Sequence, residues 1–268
     1  MTRLAVLGSP IAHSLSPALH AAAYRELGLD WVYDAVDVPE GALGAFLTSR
    51  DADWRGLSLT MPLKRAVLPM LDTRTGLVTL VGAANTVLFD EGRVHGFNTD
   101  VAGIVAALGE HGVGRVGRAH ILGMGATAAS TLAAVAQLGA TEIVVTGRRD
   151  DDDELRRLAR ALGRDLSFRA AGSPAPADID LLVNTIPGDM GDTAEVDDAG
   201  AFLEVIYEGW PSPRARRWLE AGRPVVSGLE MLLHQAVEQV RIFTTGAESA
   251  PVERESRVVA AMRASVGL

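Results

Sequence analysis

The chain has 268 residues, 48% of them hydrophobic, with a formal net charge of −9 and no cysteine. That length suits two modest domains or one large one, and the apolar content supports a substantial core. The acidic balance excludes the basic footprint of a nucleic-acid binder, and the lack of cysteine removes disulfides, thiolate zinc sites and a cysteine nucleophile, in keeping with a reducing compartment.

The apolar part of the N-terminal segment is too short for a secretory signal, so the expectation is a cytoplasmic protein. Residues 3–8 read as a buried strand closed by Gly8. After a loop over 9–16, Ser16 stands at a helix cap and Pro17 at the first helical position. Leu19, Ala22, Ala23 and Leu27 follow on one face, and Gly28 ends the helix. Residues 31–38 read as a strand, 39–50 as a helix and 56–60 as a strand. From Pro62, the positions Ala66, Val67, Met70 and Leu71 predict a helix that Pro69 complicates. Segments 84–89 and 93–96 flank Asp90-Glu91-Gly92, a hairpin turn.

The stretch Gly96-Phe97-Asn98-Thr99-Asp100-Val101-Ala102-Gly103 is a seam between two kinds of sequence. Asp100 precedes Val101, Ile104, Val105 and Leu108 at helical spacing. It reads either as the cap of that helix, accepting unpaired backbone N–H groups, or as a catalytic carboxylate. Beyond Arg118, strand patterns at 119–122, 142–146, 166–169, 179–184, 202–206 and 224–226 alternate with helices or loops. That rhythm predicts a parallel sheet with helices on both faces. The apolar stretch 119–145 is interrupted by His120, Thr127, Ser130, Thr131, Gln137 and Glu142, and predicts strand–turn–helix–strand rather than a membrane span. The run Asp150-Asp151-Asp152-Asp153-Glu154 opens an exposed helix, where negative charge is favourable. Two helices end the chain. In the first, Leu229, Leu232, Leu233, Ala236, Val237 and Val240 make an apolar stripe with Met231 and Gln235 on its flank. The second starts at Pro251 and carries Val258, Val259 and Met262; both are expected to return to the first domain.

Chemistry enters at Ile121-Leu122-Gly123-Met124-Gly125-Ala126-Thr127-Ala128, a strand end, a G-x-G-x-x-A turn and a helix start. Gly123 permits the turn, Gly125 lets backbone approach a pyrophosphate, and Ala128 allows close helix–strand packing. The helix N-terminus favours the negative charge. At the end of the next strand, Val145-Thr146-Gly147-Arg148-Arg149 offers two guanidinium groups in place of an acidic residue. They suit the 2′-phosphate of NADP, or are solvated surface charge, with Asp150 to Asp153 close enough to alter the balance. His13, His20, His95 and His234 have no metal-ligand spacing, and no metal is expected.

Across nearly its whole length the chain resembles the shikimate dehydrogenase family. The motifs that carry the resemblance run from Gly8-Ser9-Pro10-Ile11-Ala12-His13-Ser14-Leu15-Ser16-Pro17 through Leu59-Thr60-Met61-Pro62-Leu63-Lys64, Gly82-Ala83-Ala84-Asn85-Thr86 and Asn98-Thr99-Asp100. They end at Gly228-Leu229-Glu230-Met231-Leu232-Leu233-His234-Gln235-Ala236. The resemblance implies an α/β fold with a substrate domain at 1–100, joined by helices at 236–268, and a Rossmann-type NADP domain at 101–235. It implies reversible NADPH-dependent reduction of 3-dehydroshikimate to shikimate, a step of aromatic amino-acid biosynthesis, by a monomer or homodimer with no nucleic-acid or membrane partner. Ser14, Ser16, Thr60, Asn85, Thr99 and Gln235 would hold the substrate, with Tyr207 near it, and Lys64 and Asp100 would be the catalytic pair. Gly123, Gly125, Ala126, Thr127, Ala128, Arg148, Arg149, Thr185, Gly228 and Met231 would form the cofactor side.

Several of these residues also have a structural explanation. Lys64 is otherwise an ordinary surface lysine, Ser16 a helix cap with Ser14 solvated, and Gln235 an exposed polar residue. In an extended segment Ser14 and Ser16 would point the same way around Leu15. Four places depart from the family pattern: Ser58 stands where many relatives have Asn, Ala126-Thr127 where Gly-Gly or Gly-Thr is commoner, and Gly147 where Asn is usual. Residues 184–190, Asn184-Thr185-Ile186-Pro187-Gly188-Asp189-Met190, follow the family loop loosely. The rivals are an NAD-preferring quinate/shikimate dehydrogenase, a non-catalytic ligand-binding relative, and another two-domain dehydrogenase such as a folate one, which Ser14, Ser16 and Gln235 disfavour.

Overall fold

The computed structural model describes residues 1–187, 199–248 and 250–268. It divides into two compact units, Met1–Thr99 with Gln235–Leu268, and Asp100–His234.

The first unit opens with β1 (Thr2–Gly8), where Leu4, Ala5, Val6 and Leu7 are all buried. A run with no polar alternation marks a strand covered on both faces. Then come α1 (Ser16–Leu27), β2 (Trp31–Asp37), α2 (Leu43–Ser49) after a short 3-10 turn, β3 (Trp54–Leu59), α3 (Leu63–Ala66), β4 (Thr73–Arg74), α4 (Gly76–Val81), β5 (Thr86–Asp90) and β6 (Arg93–Phe97). The strands form one mixed sheet in the order β2-β1-β3-β5-β6-β4. β1 pairs parallel with β2 and β3, and the β5–β6 hairpin is antiparallel, turning at Asp90–Arg93. A core of Ala5, Leu7, Leu43, Leu57, Leu63, Val67, Val87 and Phe89 packs beside α2 and α3.

The structure corrects two expectations in this unit and adds a helix. Ser16 is the first residue of α1 rather than its cap; the cap position is Leu15, with no side-chain bond. Leu15 has φ −88° and ψ −2°, a helical geometry, so Ser14 and Ser16 do not alternate as on a strand. Instead Ser14 Oγ accepts the Ser16 backbone N–H at 3.3 Å. The helix α4 went unread in the sequence, although Thr75 caps it by accepting from Val78 N.

The second unit holds α5 (Asp100–Glu110), β7 (Arg118–Leu122), α6 (Ala126–Gln137), β8 (Glu142–Gly147), α7 (Asp153–Ala161), β9 (Asp165–Ala170), β10 (Leu181–Asn184), β11 (Ala201–Glu204), α8 (Pro213–Glu220) and β12 (Val225–Ser227). Its sheet has the order β12-β11-β10-β7-β8-β9, every pair parallel. Counted along the chain this is the doubly wound order 3-2-1-4-5-6, whose direction reverses between β7 and β10. The acidic run caps α7, as its charge pattern predicts: Asp152 Oδ1 accepts from Glu154 N and Leu155 N. Among the described residues no helix is long and apolar enough to cross a membrane.

The chain closes with α9 (Gly228–Thr245) and α10 (Glu255–Ser265). The first residues of α9 belong to the second unit and the rest, from Gln235, to the first. Its buried face differs from the expected stripe. Leu229 and Leu232 are half-buried, whereas Met231, Gln235 and Gln239 are buried with Leu233, Ala236 and Val240. Two glutamines can lie inside because polar partners from β3, α1, β5 and Asn85 just before β5 meet them there. α10 starts later than Pro251 because Arg254 has φ +54°, outside the right-handed helical region. It packs on α1, where Arg257 pairs with Glu26 at 2.9 Å.

Candidate active site

In the first unit, three segments distant in sequence converge at the ends of β3, β5 and β6. The backbone stitches them: Leu59 N donates to Asn85 O (2.7 Å), Asn85 N to Phe97 O (3.1 Å) and Ala84 N to Lys64 O (2.9 Å). Asn98 Nδ2 donates to Ala83 O at 3.0 Å. On this frame sits a side-chain cluster. Asn85 Oδ1 accepts from Thr99 N (2.8 Å) and from Thr86 Oγ1 (2.9 Å). Asn85 Nδ2 donates to Thr99 Oγ1 (2.8 Å) and to Gln235 Oε1 (3.3 Å). Asn85, Thr99 and Gln235 are 1%, 2% and 7% exposed, so Gln235 is an inward group. Buried amides and hydroxyls persist only when bonded, since an unmet one costs about 1–3 kcal/mol.

Thr60 and Lys64 are half-buried on the segment after β3, whose path is set by Thr60 N donating to Leu7 O (2.9 Å) and Leu63 N to Thr60 O (2.7 Å). Thr99 ends the first unit and the next residue, Asp100, opens α5 with 3% exposure. Ser14 is half-buried and Ser16 is 4% exposed. Tyr207 is half-buried in the segment after β11, in the second unit.

A second layer, missed in the sequence, lies behind this cluster. Tyr33 of β2 donates to Ser58 Oγ at 2.6 Å, and Ser58 Oγ donates to Gln239 Oε1 at 2.8 Å. His20 of α1 stacks on Tyr33 (3.9 Å between ring centres) and meets Gln239 Oε1 through Nε2 at 3.2 Å. Burial lowers the His20 pKa to about 3, partly opposed by its bond to Gln239, so the ring is neutral. Burial raises the Tyr33 pKa, with hydrogen bonds to Ser58 and Ser16 opposing it, so the phenol keeps its proton. The apolar surroundings of His20 and the four-residue step from Gln235 to Gln239 were visible signals.

The candidate cofactor cradle, the turn around Gly123 and Gly125, lies in the second unit at the switch point of its sheet, where a doubly wound fold receives a dinucleotide. Gly123 follows β7 with φ +109°, and a Cβ there would collide with Thr185 Oγ1. Thr185 follows β10 and secures the turn, its N and Oγ1 both donating to Leu122 O (2.9 and 2.7 Å). Gly125 caps α6 with nothing near the place of a side chain. Beyond it, Ala126 and Thr127 form the first turn and Ala128 is fully buried. The leading N–H groups of such a helix lack partners within it and attract phosphate. Arg148 and Arg149 are exposed just past β8. Arg149 is paired with Asp152 at 2.5 Å, so the acidic run engages one of the two arginines. Gly147 faces Met124, whose Cγ would lie 2.6 Å from an added Cβ; the turn residue fills the room that a side chain at 147 would need. These features fit a dinucleotide with a 2′-phosphate. Gly228, the first residue of α9, and Met231 are buried. Of the loop 184–190, residues 188–190 lie outside the described residues.

His120 is buried beneath this cradle, its Nε2 2.8 Å from Thr146 Oγ1. Its pKa is lowered to about 4, first by burial and then by the charges of Arg169 and Arg214. Among the described residues, Glu110, Glu230 and His234 bring potential metal-ligand atoms within 4.8 Å of one another. His234 Nε2 lies 3.1 Å from Glu110 Oε2, an ion pair when the ring is protonated.

A family model described as "Shikimate dehydrogenase substrate binding domain" matches residues 6–87, and one described as "Shikimate 5'-dehydrogenase C-terminal domain" matches residues 228–254. A curated relative from Methanothermobacter thermautotrophicus, named shikimate dehydrogenase (NADP(+)), is 36% identical over 259 residues, spanning 89% of each chain. The crystal structure of Mycobacterium tuberculosis shikimate dehydrogenase is similar with a TM-score of 0.85 and 37% identity, covering 98% of this chain and 100% of that one. A shikimate 5-dehydrogenase from Thermus thermophilus, solved with NADP(H) and shikimate, has a TM-score of 0.82 and 32% identity, covering 99% of this chain and 100% of that one.

Proposed function

The chain belongs to the shikimate dehydrogenase family, and from that premise we propose that it interconverts 3-dehydroshikimate and shikimate with NADP as cofactor, as a cytoplasmic monomer or homodimer. The observation that carries the reading is the buried Asn85–Thr99–Gln235 cluster. Lys64 is joined to it through Ala84, the residue before Asn85, and Asp100 is the residue after Thr99. The same likeness to the relatives named shikimate dehydrogenase (NADP(+)) supports the choice of substrate and cofactor.

In this proposal the cradle of Gly123, Gly125, Ala126, Thr127, Ala128 and Thr185, with Gly228 and Met231, holds the cofactor, and Arg148 and Arg149 read its 2′-phosphate. Bound NADPH supplies the hydride that reduces the ketone. As negative charge develops on the ketone oxygen, the Lys64 ammonium stabilises it and delivers the proton, and the Asp100 carboxylate orients the amine and shares the transfer. Ser14, Ser16, Thr60, Asn85, Thr99 and Gln235, with Tyr207, hold the hydroxyls and carboxylate of the substrate. An array of buried polar groups discriminates strongly, because a substrate lacking a hydroxyl leaves one of them unpaired.

The test is incubation with 3-dehydroshikimate and NADPH and identification of the product by NMR. Shikimate is the expected product, formed faster with NADPH than with NADH, and shikimate is oxidised faster than quinate in reverse. A preference for NAD and quinate would replace the proposal with a quinate/shikimate dehydrogenase. Binding of both ligands without turnover would make the chain a non-catalytic relative.

A further inference from the structure

Gln239 lies outside every motif that pointed to the site, yet it is 1% exposed and makes four hydrogen bonds to three other segments. Its Oε1 accepts from Ser58 Oγ of β3 (2.8 Å) and faces His20 Nε2 of α1 (3.2 Å). Its Nε2 donates to the main-chain oxygen of Asn85 (3.3 Å) and to Thr86 Oγ1 (3.0 Å). A carbonyl oxygen only accepts, so the contact with Asn85 O fixes which end of the Gln239 amide is which. The remaining polarity follows. Nε2 of His20 is the donor to Oε1, which leaves Nδ1 to accept from Tyr24 OH at 3.0 Å. Ser58 spends its proton on Gln239 and therefore accepts from Tyr33.

The consequence reaches the site through Thr86. Thr86 Oγ1 accepts from Gln239 and donates its own proton to Asn85 Oδ1 (2.9 Å). The same oxygen accepts from Thr99 N (2.8 Å), a main-chain donor that fixes the flip of the Asn85 amide, with Nδ2 directed to Thr99 Oγ1 and Gln235 Oε1, and the Thr86 bond is its second support. We propose that Gln239 is a positioning residue of the substrate site, holding the Asn85 amide in place through the Thr86 hydroxyl. This rests on the reading of Asn85, Thr99 and Gln235 as substrate-holding groups. Gln239 itself is given no contact with substrate; it acts one helical turn beyond Gln235 and through a residue of β5. Burial depresses the proton affinity of His20, which keeps that ring in the neutral form the pattern requires.

The experiment uses the full chain with Gln239→Leu, Thr86→Val and the double variant, measuring kcat, the KM of shikimate, the KM of NADP+ and the melting temperature. Val matches Thr in shape, so Thr86→Val removes the relay with little change of packing. In both single variants the KM of shikimate is expected to rise roughly tenfold, the effect of losing one well-placed buried hydrogen bond. The KM of NADP+ stays unchanged and kcat falls less than the KM rises. The double variant resembles the singles, because both changes break one path. An unchanged shikimate KM in folded variants, with the effect confined to melting temperature, would overturn the inference and leave Gln239 a packing residue. Effects that multiply in the double variant would also overturn it, since Thr86 would then not carry the influence of Gln239. The wild-type rate distinguishes this from a failure of the underlying reading: no turnover of shikimate by the wild type removes both.

Discussion

Lys64 follows Thr60-Met61-Pro62 and is half-buried, with its main chain pinned to the residue before Asn85. Removing its amine while keeping the fold isolates the acid–base contribution. Lys64→Ala is expected to lower kcat by roughly 10²–10⁴ with circular dichroism unchanged, and near-normal turnover would take Lys64 out of the mechanism. The arginines after β8 divide unequally, because Arg149 is already paired with Asp152. Arg148→Ala is therefore expected to weaken NADPH binding much more than NADH binding in fluorescence titrations. An equal loss for both cofactors would mean that Arg148 does not read the 2′-phosphate. At this scale the sequence carried Ser14, Ser16, Asn85, Thr99 and Gln235 in short motifs. It did not carry the layer behind them, since His20 and Gln239 meet across 219 residues of chain and only the folded sheet brings them together.

The turn between β7 and α6 shows how an element depends on one backbone conformation. Gly123 has φ +109°, open to glycine and unfavourable for other residues, and Thr185 occupies the place of any side chain. Gly123→Ala is expected to cost about 1–3 kcal/mol of stability in urea denaturation and to weaken NADP+ binding; unchanged binding would show that the turn tolerates a side chain. For α1, the buried ring of His20 makes stability depend on pH. The folded chain keeps His20 neutral down to about pH 3, whereas an exposed imidazole takes up its proton near 6.5. Between those values the unfolded state binds the extra proton. The contribution of His20 is thus fully present above about pH 6.5 and falls below it, by up to about 1.4 kcal/mol per pH unit. His120 acts with the same sign down to about pH 4. A melting temperature that falls from neutral pH toward about pH 5, less steeply in His20→Gln, is the expected result; identical slopes would remove His20 as the cause. Elements with strong periodicity, such as β7, α6 and β8, were legible in sequence. The short α4 was not, because six residues carry too little pattern, and the start of α10 was misplaced because a left-handed Arg254 leaves no mark in composition.

On the scale of the whole molecule, the parallel sheet of the second unit was readable from its strand–helix rhythm, and its 3-2-1-4-5-6 order explains why Gly123 and Thr185 meet. The first unit is discontinuous, since Gln235–Leu268 completes what Met1–Thr99 begins. Such an arrangement is only partly legible along a chain: the motif at Gln235 announces a return, but not that Gln239 would anchor it. The proposed chemistry draws on both units, the first supplying Lys64 and the substrate groups other than Tyr207, the second supplying Tyr207, Asp100 and the cofactor cradle. The most direct test is transfer from NADPH deuterated at the reactive position of its nicotinamide, with 3-dehydroshikimate as acceptor. The expected product is shikimate carrying the deuterium at the carbon that bears the new hydroxyl, with none lost to solvent. Shikimate without the label, or no shikimate at all, would contradict the proposed hydride transfer.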